Sequence, residues 1–288
     1  MMIYLMIKER IWYCGFRMFY AIRHPRFVLF KFWRTCNRKV LNNKNIVPDG
    51  YLLPKNIPKK IWIYWEQEWD KAPELVKLCL DSWVAHNPDW EVIQLGEKNL
   101  SKYITIDVPL QGREITRTGY SNIVRLTLLE KYGGVWVDAT TFCTAPLDSW
   151  LPYLMQTGFF VFHKPKTTVA SWFIAAEQNH ELICCWKEYV KQYWKFTRKP
   201  DIYFWVQYLF EYMILHNIKM RTIWSQTPHI NTDGPYAVQR CLKRGAPSEE
   251  CVDMVFSGKS PVHKLSWKID IPDTFLHLLR QQLQNLSR

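Results

Sequence analysis

The chain has 288 residues, 48% of them hydrophobic, with 15 Trp, 15 Tyr and 15 Phe, a composition that excludes disorder and suits one large α/β domain with appendages. Its net charge is +12, and residues 1–47 carry ten basic side chains against Glu9 alone, so +9 lies in that segment and only +3 in the rest. Charge gathered at one end argues against a nucleic-acid partner, and eight cysteines without a C-x-x-C pair read as reduced, cytosolic usage.

Residues 1–47 interleave cations (Lys8, Arg10, Arg17, Arg23, Arg26, Lys31, Arg34) with large apolar side chains (Ile11, Trp12, Phe16, Phe19, Phe27, Phe30, Trp33). The cations break every apolar run short of the roughly 20 residues that cross a bilayer, and no signal peptide is visible. Two readings stay open. The segment lies on an anionic membrane surface, which places the protein peripherally on the cytoplasmic face of the membrane. Alternatively, it forms a helix pair packed on the main domain. Asn42-Asn43-Lys44-Asn45 and Pro48-Asp49-Gly50 read as a linker and turn, so residues 48–288 form the main domain.

Ile61-Trp62-Ile63-Tyr64-Trp65 is a short apolar run suited to a buried strand, with Trp62 and Tyr64 turned to the core. A helix follows, with Asp70 near its start, Pro73 in its first turn and a stripe of Leu75, Val76, Cys79, Leu80 and Trp83. Asn87-Pro88 stops it, and Trp90–Leu95 supplies the second strand of a βαβ unit. A second helix is expected over Ser121–Tyr132, capped by Thr118 or Ser121 and ended by Gly133-Gly134. Val135-Trp136-Val137 then delivers Asp138 at the carboxyl end of a strand, where open α/β sheets bind ligands. The plainer alternative is an Asp that caps the next turn. Further on, Phe159–Phe162 and Val169–Ala175 read as strands, and residues 180–196, 202–216 and 275–286 as helices. There is no dinucleotide-binding glycine fingerprint and no P-loop.

Three passages carry a resemblance: Ile57-Pro58-Lys59-Lys60-Ile61-Trp62-Ile63-Tyr64-Trp65, Ser121-Asn122-Ile123-Val124-Arg125, and Lys131-Tyr132-Gly133-Gly134-Val135-Trp136-Val137-Asp138-Ala139-Thr140. In this order and spacing, with Thr232-Asp233-Gly234-Pro235 and His263-Lys264-Leu265-Ser266-Trp267 after them, the chain resembles the capsular polysaccharide synthesis proteins. These are similar to glycosyltransferase family 32. The resemblance implies a GT-A-like α/β fold, a mixed sheet flanked by helices, behind the basic helical segment. It implies transfer of a sugar, with retention, from a nucleotide-sugar donor to a glycan or lipid-linked acceptor in surface-polysaccharide synthesis.

The same resemblance implies roles for particular residues. Asp138 matches the first carboxylate of a D-x-D motif, and Arg125 is expected to contact the donor. Trp65 is expected to stack on the nucleotide base, where such a stack contributes roughly 1–3 kcal/mol. His263, Ser266 and Trp267 match a segment that closes over the diphosphate and a divalent cation, Mn²⁺ or Mg²⁺, with Asp138 and His263 as its ligands. Two departures stand out: Thr140 replaces the second carboxylate, and Asn122, whose amide can still bond sugar hydroxyls, replaces an Asp in the helix before the glycines; the resemblance implies donor binding by both, with Trp65, Asp138, Ser266 and Trp267. A neutral hydroxyl is a weak ligand for a hard cation. These departures also leave room for a sugar-nucleotide or glycan binder that keeps the fold without catalysis.

Overall fold

A computed structural model describes residues 2–23, 57–164, 167–200 and 202–286. The expected linker and turn at 42–50, and Phe27, Phe30 and Trp33, lie outside the described residues. Helix α1 (Met2–Arg23) is followed by β1 (Lys60–Tyr64), α2 (Glu74–His86) and β2 (Glu91–Leu95). Strands β1 and β2 pair in parallel, Lys60 opposite Glu91 and Tyr64 opposite Leu95, which makes the βαβ unit read from the sequence. Its helix begins one step later than expected. Pro73 is the residue before the first turn, and Asp70 lies in a separate 3₁₀ turn, Trp69–Lys71.

A short helix α3 (Glu97–Leu100) precedes α4 (Arg117–Tyr132) and β3 (Gly134–Asp138). Then come β4 (Thr141–Cys143), α5 (Leu151–Leu154), β5 (Phe159–Lys164) and β6 (Thr168–Ala176). The remainder is helical: α6 (Glu181–Phe196), α7 (Trp205–His216), α8 (Ile218–Gln226), α9 (Ala237–Lys243) and α10 (Ser248–Phe256). Strand β7 (Val262–Lys264) and helix α11 (Asp273–Leu286) close the chain.

The main sheet has the order β2-β1-β3-β6-β5, parallel among β2, β1 and β3 and antiparallel at β6 and β5. This is the mixed α/β sheet expected. Period-two alternation sends Trp62, Tyr64 and Trp136 to one face, where they pack with Leu126, Leu129, Trp186 and Phe210. Ile61, Ile63, Val135 and Val137 pack on the other face with Trp83 and Leu147. Both faces are therefore covered, and the strands read as continuous apolar runs.

The described part of the N-terminal segment packs on the main domain. Phe16 and Phe19 are buried in the first cluster, and the Trp12 ring meets Tyr189 and Tyr212 edge-on at 5.2 and 5.8 Å. Ile11 and Met18 remain exposed. No helix among the described residues is long and apolar enough to cross a membrane.

Two glycines aim the site. Gly133 and Gly134 have φ of 64° and 90°, and a Cβ on Gly134 would stand 2.5 Å from the Lys60 carbonyl oxygen. Only glycine turns the chain from α4 into β3 this tightly against β1.

Candidate active site

Strand β3 pairs with β1 so that Asp138 stands opposite Tyr64 at the carboxyl end of the sheet. There the chain leaves the sheet through Ala139 and Thr140 and enters β4, which pairs with β7 in a small second sheet. The backbone N–H of Leu265 donates to the Thr140 carbonyl at 2.8 Å, and that of Lys264 donates to the Pro235 carbonyl at 2.8 Å. These bonds fix the 264–268 passage beside Asp138. Between it and the β1 end lies a cleft of about 350 Å³, lined by Trp65, Ser121, Arg125, Asp138, Thr140, Lys264, Ser266 and Trp267, with Tyr64, Glu66, Arg117 and Tyr203 among the others. That volume falls within the roughly 300–1,000 Å³ of small-molecule sites.

The Asp138 side chain is 31% exposed and opens on this cleft. Its Oδ1 accepts from Trp136 Nε1 at 3.0 Å and lies 3.2 Å from a terminal nitrogen of Arg125. Arg125 itself is buried. Its Nε donates to the Ser121 carbonyl at 3.2 Å, one terminal nitrogen donates to Ser121 Oγ at 3.1 Å, and the other donates to the Ser171 carbonyl. The guanidinium also lies over the Trp136 ring, 5.0 Å from its centroid. Burial pulls the Arg125 pKa down while Asp138 pulls it up. With most of its donors committed to the protein, Arg125 holds the Asp138 carboxylate in position from behind.

A cation that the sequence does not single out also lines the cleft, beside Arg117, Arg125 and Lys268. Lys264, 15% exposed, sends its Nζ to Thr140 Oγ1 and to the Leu265 carbonyl at 3.3 Å, with Asp138 Oδ2 at 3.9 Å. Burial lowers its pKa, opposed by the Asp138 carboxylate.

The sequence matches the family described as capsular polysaccharide synthesis protein over residues 19–283. The chain belongs to that family. It is also 29% identical over 169 residues to the O-glycosyltransferase braB of Annulohypoxylon truncatum, an alignment that takes in 49% of this chain and 39% of that protein. The chain therefore spans well under half of that relative's length. The solved structure of the PaToxG glycosyltransferase superposes at a TM-score of 0.39 with 14% identity, over 89% of this chain and 99% of that one.

The residues that resemble the family motifs separate into two groups in space. Trp65, Asp138, Arg125, Thr140, Ser266 and Trp267 meet at one cleft. Trp65 and Trp267 touch edge to face, ring centroids 5.9 Å apart, and Trp267 is 47% exposed. Asn122 and His263 do not line that cleft. On α4, Ser121 and Arg125 are one turn apart and share the cleft face, whereas Asn122 is rotated into the interior, where it is buried. On β7, His263 and Lys264 point to opposite sides. His263 lies opposite Phe142, is 1% exposed, and donates from Nε2 to the Val255 carbonyl at 3.0 Å. The expectation that His263 ligates a metal beside Asp138 is thereby corrected: strand alternation gives the cleft to Lys264 instead.

The remaining donors do not fit a tightly held divalent cation. One Asp138 oxygen is taken by Trp136 and Arg125, the other faces the Lys264 ammonium, and the Thr140 hydroxyl is bonded by that same ammonium. Among the described residues no group of three or more His, Cys, Asp or Glu side chains is placed to hold a metal ion. Mg²⁺ at phosphate sites is held by one or two carboxylates with substrate phosphate oxygens, and here the carboxylate that would serve, Asp138, already faces the cations of Arg125 and Lys264.

Proposed function

We propose that the chain transfers a sugar, with retention of configuration, from a nucleotide-sugar donor to a glycan or lipid-linked saccharide in capsular or other surface-polysaccharide synthesis. The observation that carries the reading is Asp138: a single carboxylate at a strand end, held by Arg125 and Trp136, open to a cleft with two tryptophans at its rim. Family membership and the likeness to an O-glycosyltransferase support it. In this reading the base binds against Trp65 and Trp267. Ser266 and Thr140 face the diphosphate, and Asp138 accepts from ribose or sugar hydroxyls and opposes the positive charge that builds on the anomeric carbon. The acceptor is offered at an anionic membrane surface on the cytoplasmic side, a reading supported by the +9 carried by residues 1–47.

The test is release of nucleoside diphosphate by the full chain from a panel of nucleotide sugars, with and without saccharide acceptors. One donor is expected to turn over, and Asp138→Asn lowers kcat by about 10²–10³-fold. Full turnover by that variant overturns the site assignment. The missing second carboxylate at Thr140 favours a second reading, a binder without catalysis. Saturable binding of a donor with no turnover under any condition decides for it.

A further inference from the structure

The D-x-D motif stops at Thr140, and the place next to its hydroxyl is taken by the Lys264 ammonium. That nitrogen is surrounded by three oxygens, Thr140 Oγ1, the Leu265 carbonyl at 3.3 Å and Asp138 Oδ2 at 3.9 Å. The third distance is an ion pair too long for a hydrogen bond, so one ammonium proton is uncommitted at the cleft wall. From the reading of a nucleotide-sugar site, on which this inference rests, we propose that Lys264 is the resident cation for the donor diphosphate and that donor binding needs no divalent metal.

Three features favour a fixed cation over a captured ion. Lys264 is held at both ends of its reach: its backbone N–H bonds Pro235, its neighbour's N–H bonds Thr140, and its side chain is mostly buried along the way. An ammonium held in place needs no reorganisation when the leaving diphosphate gains charge. Asp138 and Arg125 already balance one another, so the Lys264 charge remains to meet an incoming anion. A second carboxylate at position 140 would cancel that charge, which gives the Thr a purpose: it orients the ammonium without neutralising it. Burial lowers the Lys264 pKa and the Asp138 carboxylate raises it, and a bound diphosphate would raise it further.

Isothermal titration of the full chain with UDP, GDP, ADP and CDP, and with the parent nucleosides, in EDTA and then in Mn²⁺, tests this. One diphosphate is expected to bind equally well in both, within about twofold. Lys264→Met weakens that diphosphate by about ten- to a hundredfold, the worth of a charge-assisted hydrogen bond, and leaves the nucleoside unchanged, while Lys264→Arg restores part of the loss. Thr140→Asp, which supplies the absent carboxylate, makes binding Mn²⁺-dependent. Mn²⁺ paramagnetic resonance of the unaltered chain with saturating diphosphate shows no bound ion, a readout independent of any variant's folding. Binding that needs Mn²⁺, or a Lys264→Met chain that holds the diphosphate as tightly as before, overturns the proposal and leaves the transferase reading intact. If no nucleoside diphosphate binds with or without Mn²⁺, the donor reading itself falls and takes this inference with it.

Discussion

His263 illustrates how neighbouring residues divide between stability and the cleft. Its ring is buried beside Phe142, Nε2 is bonded to a carbonyl, Nδ1 has no hydrogen-bond partner among the described residues, and burial lowers its pKa from 6.5 to about 4. Between those two values the unfolded chain binds a proton that the folded chain refuses. Folding is therefore penalised as pH falls through that window, and the penalty is absent above it. At full extent it reaches at most about 3 kcal/mol. Urea unfolding of the unaltered chain should lose stability between pH 6.5 and about 4, and His263→Gln should flatten that slope. An NMR titration showing His263 protonated at its ordinary pH would contradict the assignment. The adjacent Lys264 points to the other side of β7 and lines the cleft. A one-residue shift in β7 would exchange the two and abolish the site.

At the level of elements, the turn between α4 and β3 is the tightest constraint. Gly134→Ala places a methyl group 2.5 Å from the Lys60 carbonyl at a φ of 90°. The β1–β3 pairing must open to accept it, at a cost of about 3 kcal/mol or more. A lowered urea midpoint with an unchanged m-value is the expected result. Periodicity and punctuation made this region legible: the apolar β1 run, the βαβ unit, and the glycine pair that positions Asp138. The start of α4 was less so. Its cap is Thr116, accepting from the Gly119 N–H at 3.0 Å, and not Thr118 or Ser121. The first turn, Arg117-Thr118-Gly119-Tyr120, carries no apolar stripe because part of it faces the cleft, so hydrophobic spacing begins only at Ile123. Asn122 lies off the cleft for a related reason. Motif matching is blind to the 100° step between successive helical residues, which gives the cleft to Ser121. Lys264 lies within the His263–Trp267 passage, yet its place at the cleft depends on a β4–β7 pairing between residues far apart in sequence, which no local pattern reveals.

For the molecule as a whole, the unequal charge and the docking of α1 belong together. The inward side of α1 is occupied by Trp12, Tyr13 and Phe16, with Tyr13 OH 3.0 Å from Thr197 Oγ1, so any membrane contact falls to the opposite side, where Ile11 and Met18 are exposed. Basic segments gain about 1 kcal/mol per cation near an anionic surface and lose it to salt. The full chain should therefore co-sediment with phosphatidylserine-containing vesicles at low salt, less so at high salt, and not with neutral vesicles. Replacing Arg10 and Arg17 by Gln should weaken that binding without altering the folded core. Equal binding to neutral and anionic vesicles would remove charge as the cause.

Trp65 directly follows the first strand, and Trp267 precedes helix α11 by six residues, yet their rings touch. The pocket thus forms only once the end of β1 and the 264–268 passage, far apart in sequence, have been brought together. A chain that has built its sheet but not yet placed the 264–268 passage carries Asp138 at a strand end without the wall that encloses it.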